Sequence, residues 1–338
     1  AIFLRFAPCC KPCYPPHMII DALNCSNWDE SLFQEAKTAS VTCAHVTLAV
    51  WENARETLSQ VDKWYRFFRQ YPELIMQVQS AADIRTAEQT GRVGIMLGFQ
   101  NSSPIEDDLG MVEVFHRLGI RVMQITYNNA SLLGSGCYEP NDGGLTRFGR
   151  EVVKEMNRVG MVVDLSHVGE QTTLDTIRFS EKAVAVTHSN PHWLSHIPRN
   201  KSEFVLRELA EANGMLGCSL YPFLIGGREV TLQQFCDSMA RAADLMGAEK
   251  LGIGTDLVSK CTPEYLDWLR SGRWTHAQSY GPAGPSAKPG WPEWQDWFKS
   301  PLDFGTVANG LQDIGFSEEE TAGIMGKNWL RFFEEVIG

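Results

Sequence analysis

Two histidines and one aspartate stand at the ends of predicted strands. His167 follows the apolar run of VVDLSHV, His188 ends AVAVTHS, and Asp256 ends LGIGTDL. Parallel α/β barrels present metal ligands and proton carriers at the ends of their strands, and neutral imidazole suits zinc and other first-row metals. We therefore predict that His167 and His188 bind a metal ion. Asp256 is predicted to be a general base or a metal ligand, with a helix cap as the alternative.

Eight short apolar runs predict the strands that must position these residues. Most are continuously apolar, as strands covered on both faces are, and helical patterns separate them. Several of the helical patterns begin with Asp, Ser or Thr and end with Gly. This alternation predicts the α/β class and a (β/α)8 TIM-type barrel, with a doubly wound open sheet as the alternative. The runs are MIIDALN, VTCAHVTLAV, VGIMLGFQN, IRVMQITYN, GMVVDLSHV, AVAVTHSN, GMLGCSLYP and LGIGTDLVS.

Three segments lie outside the alternating pattern. Residues 1–17 are rich in Pro and Cys, lack any periodicity and precede Met18, which predicts a remnant of cloning, with a short natural arm as the alternative. The Trp- and Pro-rich segment 261–305 follows the eighth strand, and its length predicts a lid over the barrel rim, with a packed structural cover as the alternative. The terminal SEEETAGIMGKNWLRFFEEVIG predicts helices that close the barrel, so that residues 18–338 form one domain.

The composition narrows the range of partners. The net charge of −11 over 338 residues argues against nucleic acid and anionic membranes. No apolar run approaches the roughly 20 residues of a membrane span. After residue 17 the cysteines are scattered without a CxxC pair, which favours a reducing, cytoplasmic location. They are Cys25, Cys43, Cys137, Cys218, Cys236 and Cys261.

One basic side chain follows the second histidine. Arg199 and Asn200 lie in the loop after His188. An arginine at a barrel mouth is able to clamp a substrate carboxylate with two parallel hydrogen bonds. Arg199 therefore predicts a small substrate that carries a carboxylate, with a surface ion pair as the alternative.

Several motifs together resemble the membrane (renal) dipeptidase family. They are GMVVDLSHV, the Thr-His-Ser segment, the Arg-Asn that follows it, GIGTDL and IMGKNWLRFFEE, and they occur in the family's order along Met18–Gly338. The resemblance implies a metal-dependent (β/α)8 hydrolase of the amidohydrolase group. Such enzymes usually cleave dipeptides with a pair of zinc ions, often as dimers, so the resemblance implies a homodimer here.

The resemblance also implies roles for individual residues. His167 and His188 match the two histidines that hold the second metal. Arg199 matches the arginine that binds the terminal carboxylate of the substrate. Asp256 matches the aspartate that handles the proton and contacts the first metal.

The first metal site departs from the family pattern. Where the family has Asp-Gly-His-Asn-Asp after the first strand, this chain has Asp-Ala-Leu-Asn-Cys, so Leu23 and Cys25 replace a histidine and an aspartate. Gln100 replaces the bridging glutamate, and a neutral amide brings no charge to offset two cations. Tyr127 replaces a histidine that would contact the substrate.

These departures leave three hypotheses open. The first is a divergent amide or peptide hydrolase with at most one Zn²⁺, or another divalent metal, on His167 and His188, completed by Cys25 or water. In this hypothesis Arg199, Asn200, Tyr127 and Gln100 bind the substrate. The second is a metalloenzyme of another class, with a thiolate-containing site for iron or copper. The third is a catalytically silent barrel that binds a small molecule.

Overall fold

The computed structural model describes residues 18–273 and 291–338. Nine parallel strands make one sheet. Their bounds are β1 Ile19–Asn24, β2 Val41–Ala49, β3 Ile75–Gln77, β4 Val93–Phe99, β5 Ile120–Gln124, β6 Val162–Asp164, β7 Ala185–Ser189, β8 Met215–Cys218 and β9 Leu251–Ile253. The predicted remnant at residues 1–17 lies outside the described residues.

Eight of the strands close into a barrel. The sheet runs β2-β1-β9-β8-β7-β6-β5-β4, and the pairing of β2 with β4 joins its two ends. Every pairing is parallel, so all the strands end at one rim. The predicted (β/α)8 barrel is therefore confirmed, and the eight apolar runs are its strands.

Helices connect the strands. Their bounds are α1 Glu30–Thr38, α2 Ala54–Gln70, α3 Ala81–Thr90, α4 Gly110–Arg117, α5 Arg147–Val159, α6 Glu170–Phe179, α7 Glu203–Glu211, α8 Pro222–Ile225, α9 Leu232–Met246, α10 Pro263–Ser271, α11 Phe304–Asp313, α12 Glu318–Ala322 and α13 Asn328–Val336. Asn53 and Thr231 form capping boxes at the starts of α2 and α9, which satisfies backbone N–H groups that the first helical turn leaves free. In the described part of the chain, no helix has the length and apolar character needed to cross a bilayer.

Strand β3 and helix α3 are among the elements that were not predicted from the sequence. Strand β3 has only three residues. It pairs with the start of β4, on the same edge as β5, and lies outside the ring of eight strands that closes the barrel. Helix α3, AADIRTAEQT, buries only three of its ten residues. A strand this short and a helix this polar leave little periodicity in the sequence, and tertiary pairing decides both.

The C-terminal helix closes the bottom of the barrel, as predicted. Trp329 on α13 packs with strand residues that point into the barrel, and its indole N–H donates to the carbonyl of Ile253 at 3.1 Å. A Cβ at Gly252 would lie 2.1 Å from the indole nitrogen, and one at Gly217 would lie 3.0 Å from the ring. Gly252 therefore makes room for the tryptophan, whereas at Gly217 the carbonyl oxygen of Thr187, at 1.9 Å, is the nearest atom that excludes a Cβ.

Candidate active site at the barrel rim

The predicted site residues gather where the strands end. Cys25 directly follows β1, and Gln100 directly follows β4. His188 is the second-last residue of β7. Tyr127, His167 and Asp256 each stand three residues beyond the ends of β5, β6 and β9. All six side chains lie at the carboxyl-terminal rim, where TIM barrels carry their active sites.

The two predicted metal ligands meet. The Nε2 atoms of His167 and His188 lie 3.1 Å apart, and both rings are buried. Nδ1 of His167 lies 2.7 Å from Oδ1 of Asn128, and Nδ1 of His188 lies 2.8 Å from the hydroxyl of Thr187. Each imidazole is thus fixed from its far side, as ligating histidines usually are.

The hydrogen bonds assign the proton of each ring. The Thr187 hydroxyl donates to Asp164 at 2.7 Å, so it accepts from Nδ1–H of His188. The amide oxygen of Asn128 accepts from Nδ1–H of His167. Burial, followed by the charge on Arg199, lowers the pKa of both histidines well below the usual value. Two neutral rings therefore turn their Nε2 lone pairs toward each other.

A matched pair of aspartate–threonine contacts holds the rim. Asp164 accepts from the backbone N–H of Thr187 at 3.0 Å as well as from its hydroxyl. Asp21 accepts in the same way from Thr255, at 2.8 Å from the N–H and 2.7 Å from the hydroxyl. Each threonine directly precedes a candidate functional residue, His188 or Asp256. The sequence did not lead us to predict these supporting residues. The available signal was a threonine directly before each candidate residue, in Thr187-His188 and Thr255-Asp256.

Asp256 occupies a strained and partly buried position. Its φ of 55° lies in the left-handed region, which costs energy for a residue with a Cβ. Burial raises the pKa of its carboxyl to about 7; the charge on Arg199 and a hydrogen bond with Cys25 oppose the rise, and Asp21 adds to it. A carboxyl group that titrates near neutrality suits proton transfer.

Cys25 and Gln100 form a neutral cluster. The Gln100 amide donates to the Cys25 sulfur at 2.6 Å and lies 2.9 Å from the Thr47 hydroxyl. Burial, followed by the charge on Asp256, raises the pKa of the Cys25 thiol well above its usual value. Leu23, which lies within strand β1, is fully buried.

Tyr127 stacks on one of the imidazoles. Its ring lies 4.0 Å from that of His167, centroid to centroid, and Trp51 packs edge-on against its other side at 5.3 Å. Burial raises the pKa of Tyr127 well above its usual value, so its hydroxyl stays protonated. A protonated hydroxyl is able to donate a hydrogen bond, and its contact with a substrate stays a prediction.

Arg199 and Asn200 both support the loop that carries them. Arg199 donates to the backbone carbonyls of Ser166 and His188 through its two terminal nitrogens. The Asn200 amide donates to the carbonyls of Ser195 and Leu224, both at 2.8 Å. Arg199 also lines the central cleft, which has about 640 Å³ of empty space including its open mouth. Asn200 and Gln100 are not among the described residues that line it, and their contact with a substrate stays a prediction.

Helix α10 from the predicted lid segment forms one wall of the cleft. Leu266, Leu269 and Arg270 on this helix line the cleft, as does Trp291. Residues 274–290 of the segment lie outside the described residues. The lid function therefore stays a prediction.

Comparison with known proteins identifies the family. The sequence model of the membrane dipeptidase family, peptidase family M19, matches residues 22–270, about three quarters of the chain. The chain belongs to the membrane dipeptidase family. A dipeptidase, tcpJ, from Claviceps purpurea is 28% identical over 286 residues, which cover 83% of this chain and 60% of the relative. This chain thus spans about three fifths of the length of that curated relative.

Solved structures share the fold. An amidohydrolase from Pseudomonas aeruginosa is 34% identical with a TM-score of 0.88, covering 95% of this chain and 96% of its own. A metallopeptidase from Rhodobacter sphaeroides, solved with a phosphinate mimic of L-Ala-D-Ala, has a TM-score of 0.77 at 17% identity, covering 95% of this chain and 99% of its own. The second likeness concerns the fold alone.

The imidazole pair of this family member has the donor chemistry of a metal site. Two zinc–nitrogen bonds of about 2.05 Å at a tetrahedral angle place their nitrogens about 3.3 Å apart, close to the 3.1 Å between the two Nε2 atoms. A cation between the two facing lone pairs would satisfy both. Within residues 18–273 and 291–338, no three His, Cys, Asp or Glu side chains converge closely enough to hold an ion. Completion by Cys25 stays a prediction, and water or substrate is the other source of ligands.

A buried lysine beside the site was also not predicted. Lys201 is 3% exposed, and its ammonium donates to the carbonyl of Val168, next to His167, at 2.7 Å. Burial, followed by the charge on Arg199, lowers its pKa from 10.5 to about 7. The sequence offered no signal for this beyond the position of Lys201 after Arg199 and Asn200.

We expect the Lys201→Met variant to be more stable than the wild type at pH 7. Between pH 10.5 and 7, Lys201 is protonated in the unfolded chain but not in the folded chain. Unfolding therefore takes up a proton, and this lysine lowers the free energy of unfolding further as the pH falls. After the lost hydrogen bond is subtracted, the gain at pH 7 is about 2 kcal/mol. Urea unfolding at pH 7 and pH 9.5 measures it, and the gain should shrink at the higher pH.

Lys250 provides the matched control. Its ammonium also donates to one backbone carbonyl, that of Ala210 at 2.7 Å, but the side chain is only partly buried. Lys250→Met should give no stabilisation at pH 7. The stability of Lys201→Met is compared with that of the wild type at each pH. If this difference were less favourable at pH 7 than at pH 9.5, the assigned cost would be wrong.

Proposed function

We propose that the protein is a metal-dependent amide or peptide hydrolase that acts on a small substrate bearing a carboxylate. The observation that carries this proposal is the pair of neutral imidazoles with facing Nε2 atoms at 3.1 Å. Membership of the membrane dipeptidase family supports the reaction class. A divalent ion held by His167 and His188 would polarise the amide carbonyl and activate water for attack.

The surrounding residues supply proton transfer and binding. Asp256, with a pKa of about 7, accepts a proton and returns it to the leaving amine. The Tyr127 hydroxyl donates to the oxygen on which charge develops. Arg199 retains donors beyond the two it gives to backbone carbonyls, and these bind the carboxylate of the substrate.

The proposed site holds one ion instead of the family's pair. Leu23 offers no donor atom, and Gln100 offers an amide without charge in place of the bridging carboxylate. The Gln100 nitrogen is already engaged with Cys25 and Thr47. Cys25 is a neutral thiol whose deprotonation burial opposes. The first metal position therefore lacks most of its charge and ligands, and the carboxylate of Asp256 remains.

Metal content tests the proposal. We expect elemental analysis of protein purified without chelator to find about one zinc per chain. Two ions per chain at full occupancy would contradict the single site. Stoichiometric iron or copper would instead favour a thiolate-containing redox site.

A silent binding barrel is the second candidate. The absence of a third converging ligand among the described residues favours it. Protein that contains no metal and takes up none when zinc is supplied would support this candidate over the hydrolase.

A further inference from the structure

The cleft carries positive charge inside an acidic protein. Its described walls contain two guanidinium groups, Arg199 and Arg270, and one carboxylate, Asp256. The other titratable groups that line it are Cys25, His167 and three tyrosines. The two guanidinium groups outnumber the carboxylate, so these walls are positive in a chain whose net charge is −11.

The two arginines that line the cleft belong to different elements. The charge on Arg199 lowers the pKa values of His167 and His188, beside the candidate metal position. The charge on Arg270 acts on Tyr221, which lies after β8. Arg270 belongs to α10, which covers the rim, whereas Arg199 belongs to the loop after β7. A ligand in the cleft would therefore meet cations from two different elements.

Arg270 lies in the wall of the cleft. Its side chain is partly buried there. Arg273, one turn further along, is instead paired with Glu56 and does not line this cleft. An arginine in the wall of a cleft is suited to bind an anionic group.

The same walls offer little to a free amino group. Asp256 is the single carboxylate among the described lining residues, and it also bonds to the Cys25 thiol. A free ammonium at the acyl end of a substrate would therefore lie near the like charge of Arg270. The described cleft wall would offer it no carboxylate other than Asp256 to pair with. Charge complementarity favours an acyl group that ends in a carboxylate.

We propose that the cleft binds a small amide with two carboxylates, an N-acyl amino acid whose acyl group ends in a second carboxylate held by Arg270. The α-carboxylate of the amino-acid part lies toward Arg199. This inference rests on the proposed function for the orientation of the amide bond, and it adds the substrate class. Arg270 is the residue that sets specificity for the second carboxylate.

A matched pair of ligands tests the assignment. N-succinyl-L-alanine and N-butyryl-L-alanine have acyl chains of the same length and differ in a terminal carboxylate in place of a methyl group. Calorimetric titration of the zinc-supplemented wild type should show about tenfold tighter binding of the succinyl compound. In Arg270→Gln this preference should fall to about twofold or less, with binding of the butyryl compound little changed. Arg273→Gln is the control and should keep the wild-type preference.

The outcomes separate this inference from the proposed function. Equal affinities in the wild type, a preference that survives Arg270→Gln, or no measurable binding of either compound would overturn the assignment of Arg270. Equal binding and equally fast hydrolysis of both compounds would overturn it while leaving the hydrolase intact. Binding of the succinyl compound that depends on Arg270, without cleavage, would support this inference and count against hydrolysis.

Discussion

Replacing either His167 or His188 with alanine is expected to abolish metal retention while the barrel stays folded. Each imidazole supplies one of two facing Nε2 atoms, so one substitution removes half of the proposed protein ligands. Loss of a partner that merely orients a ligand typically weakens metal binding 10–100-fold, so loss of a ligand should cost at least about 100-fold. Both residues lie at the rim and outside the layered core, which explains why the fold should survive.

Metal content after gel filtration measures the loss, and circular dichroism checks the fold. His192→Ala is the matched control, because His192 packs against His196 outside the central cleft. This control should retain the wild-type metal content. Stoichiometric metal in both the His167 and the His188 variants would refute their role as ligands.

Ordinary L,L-dipeptides are expected to be hydrolysed very slowly or not at all, even with added zinc. In a two-metal site a bridging carboxylate holds the ion pair that generates hydroxide and polarises the carbonyl. Here Gln100 lacks that charge, Leu23 lacks a donor atom, and Tyr127 changes a group near the developing oxyanion. Each change costs a few kcal/mol of transition-state stabilisation, a factor of about 100 or more.

A panel of dipeptides assayed beside the Asp256→Asn variant measures this effect. The variant removes the proton carrier and keeps nearly the same shape, so any turnover due to the site should fall by about 100-fold or more. Residual hydrolysis that is equal in both proteins would come from a contaminant. Fast turnover that depends on Asp256 would show that the first metal position works with Cys25 and Gln100 in place.

The barrel could be predicted from the sequence because its signals are local. Each apolar run has the length of a buried strand, and the capped helical patterns between the runs leave room for parallel crossovers only. The same pattern predicts that the residues at the ends of these runs lie together, because parallel strands end at one rim. His167, His188 and Asp256 are among them. Strand β3 and helix α3 could not be predicted in this way, because β3 has only three residues and the buried face of α3 has two alanines and a single isoleucine.

The sequence by itself also determined the family and the positions that depart from its pattern. These are statements about residue types in order along the chain, and they require no coordinates. The chemistry of Leu23 and Gln100 as poor ligands follows from their side chains alone.

Only the tertiary structure decided the state of each group at the rim. The pKa of about 7 for Asp256 depends on burial beside Arg199, and the low pKa of Lys201 depends on burial beneath the loop after His167. The facing lone pairs of the histidines depend on hydrogen bonds that the rings donate to Asn128 and Thr187. Asn128 lies 39 residues from His167 in the chain. Arg270 reaches the cleft because α10 folds over the rim. Electrostatics depends on distance and solvent exposure, and folding sets both between residues that are distant in sequence.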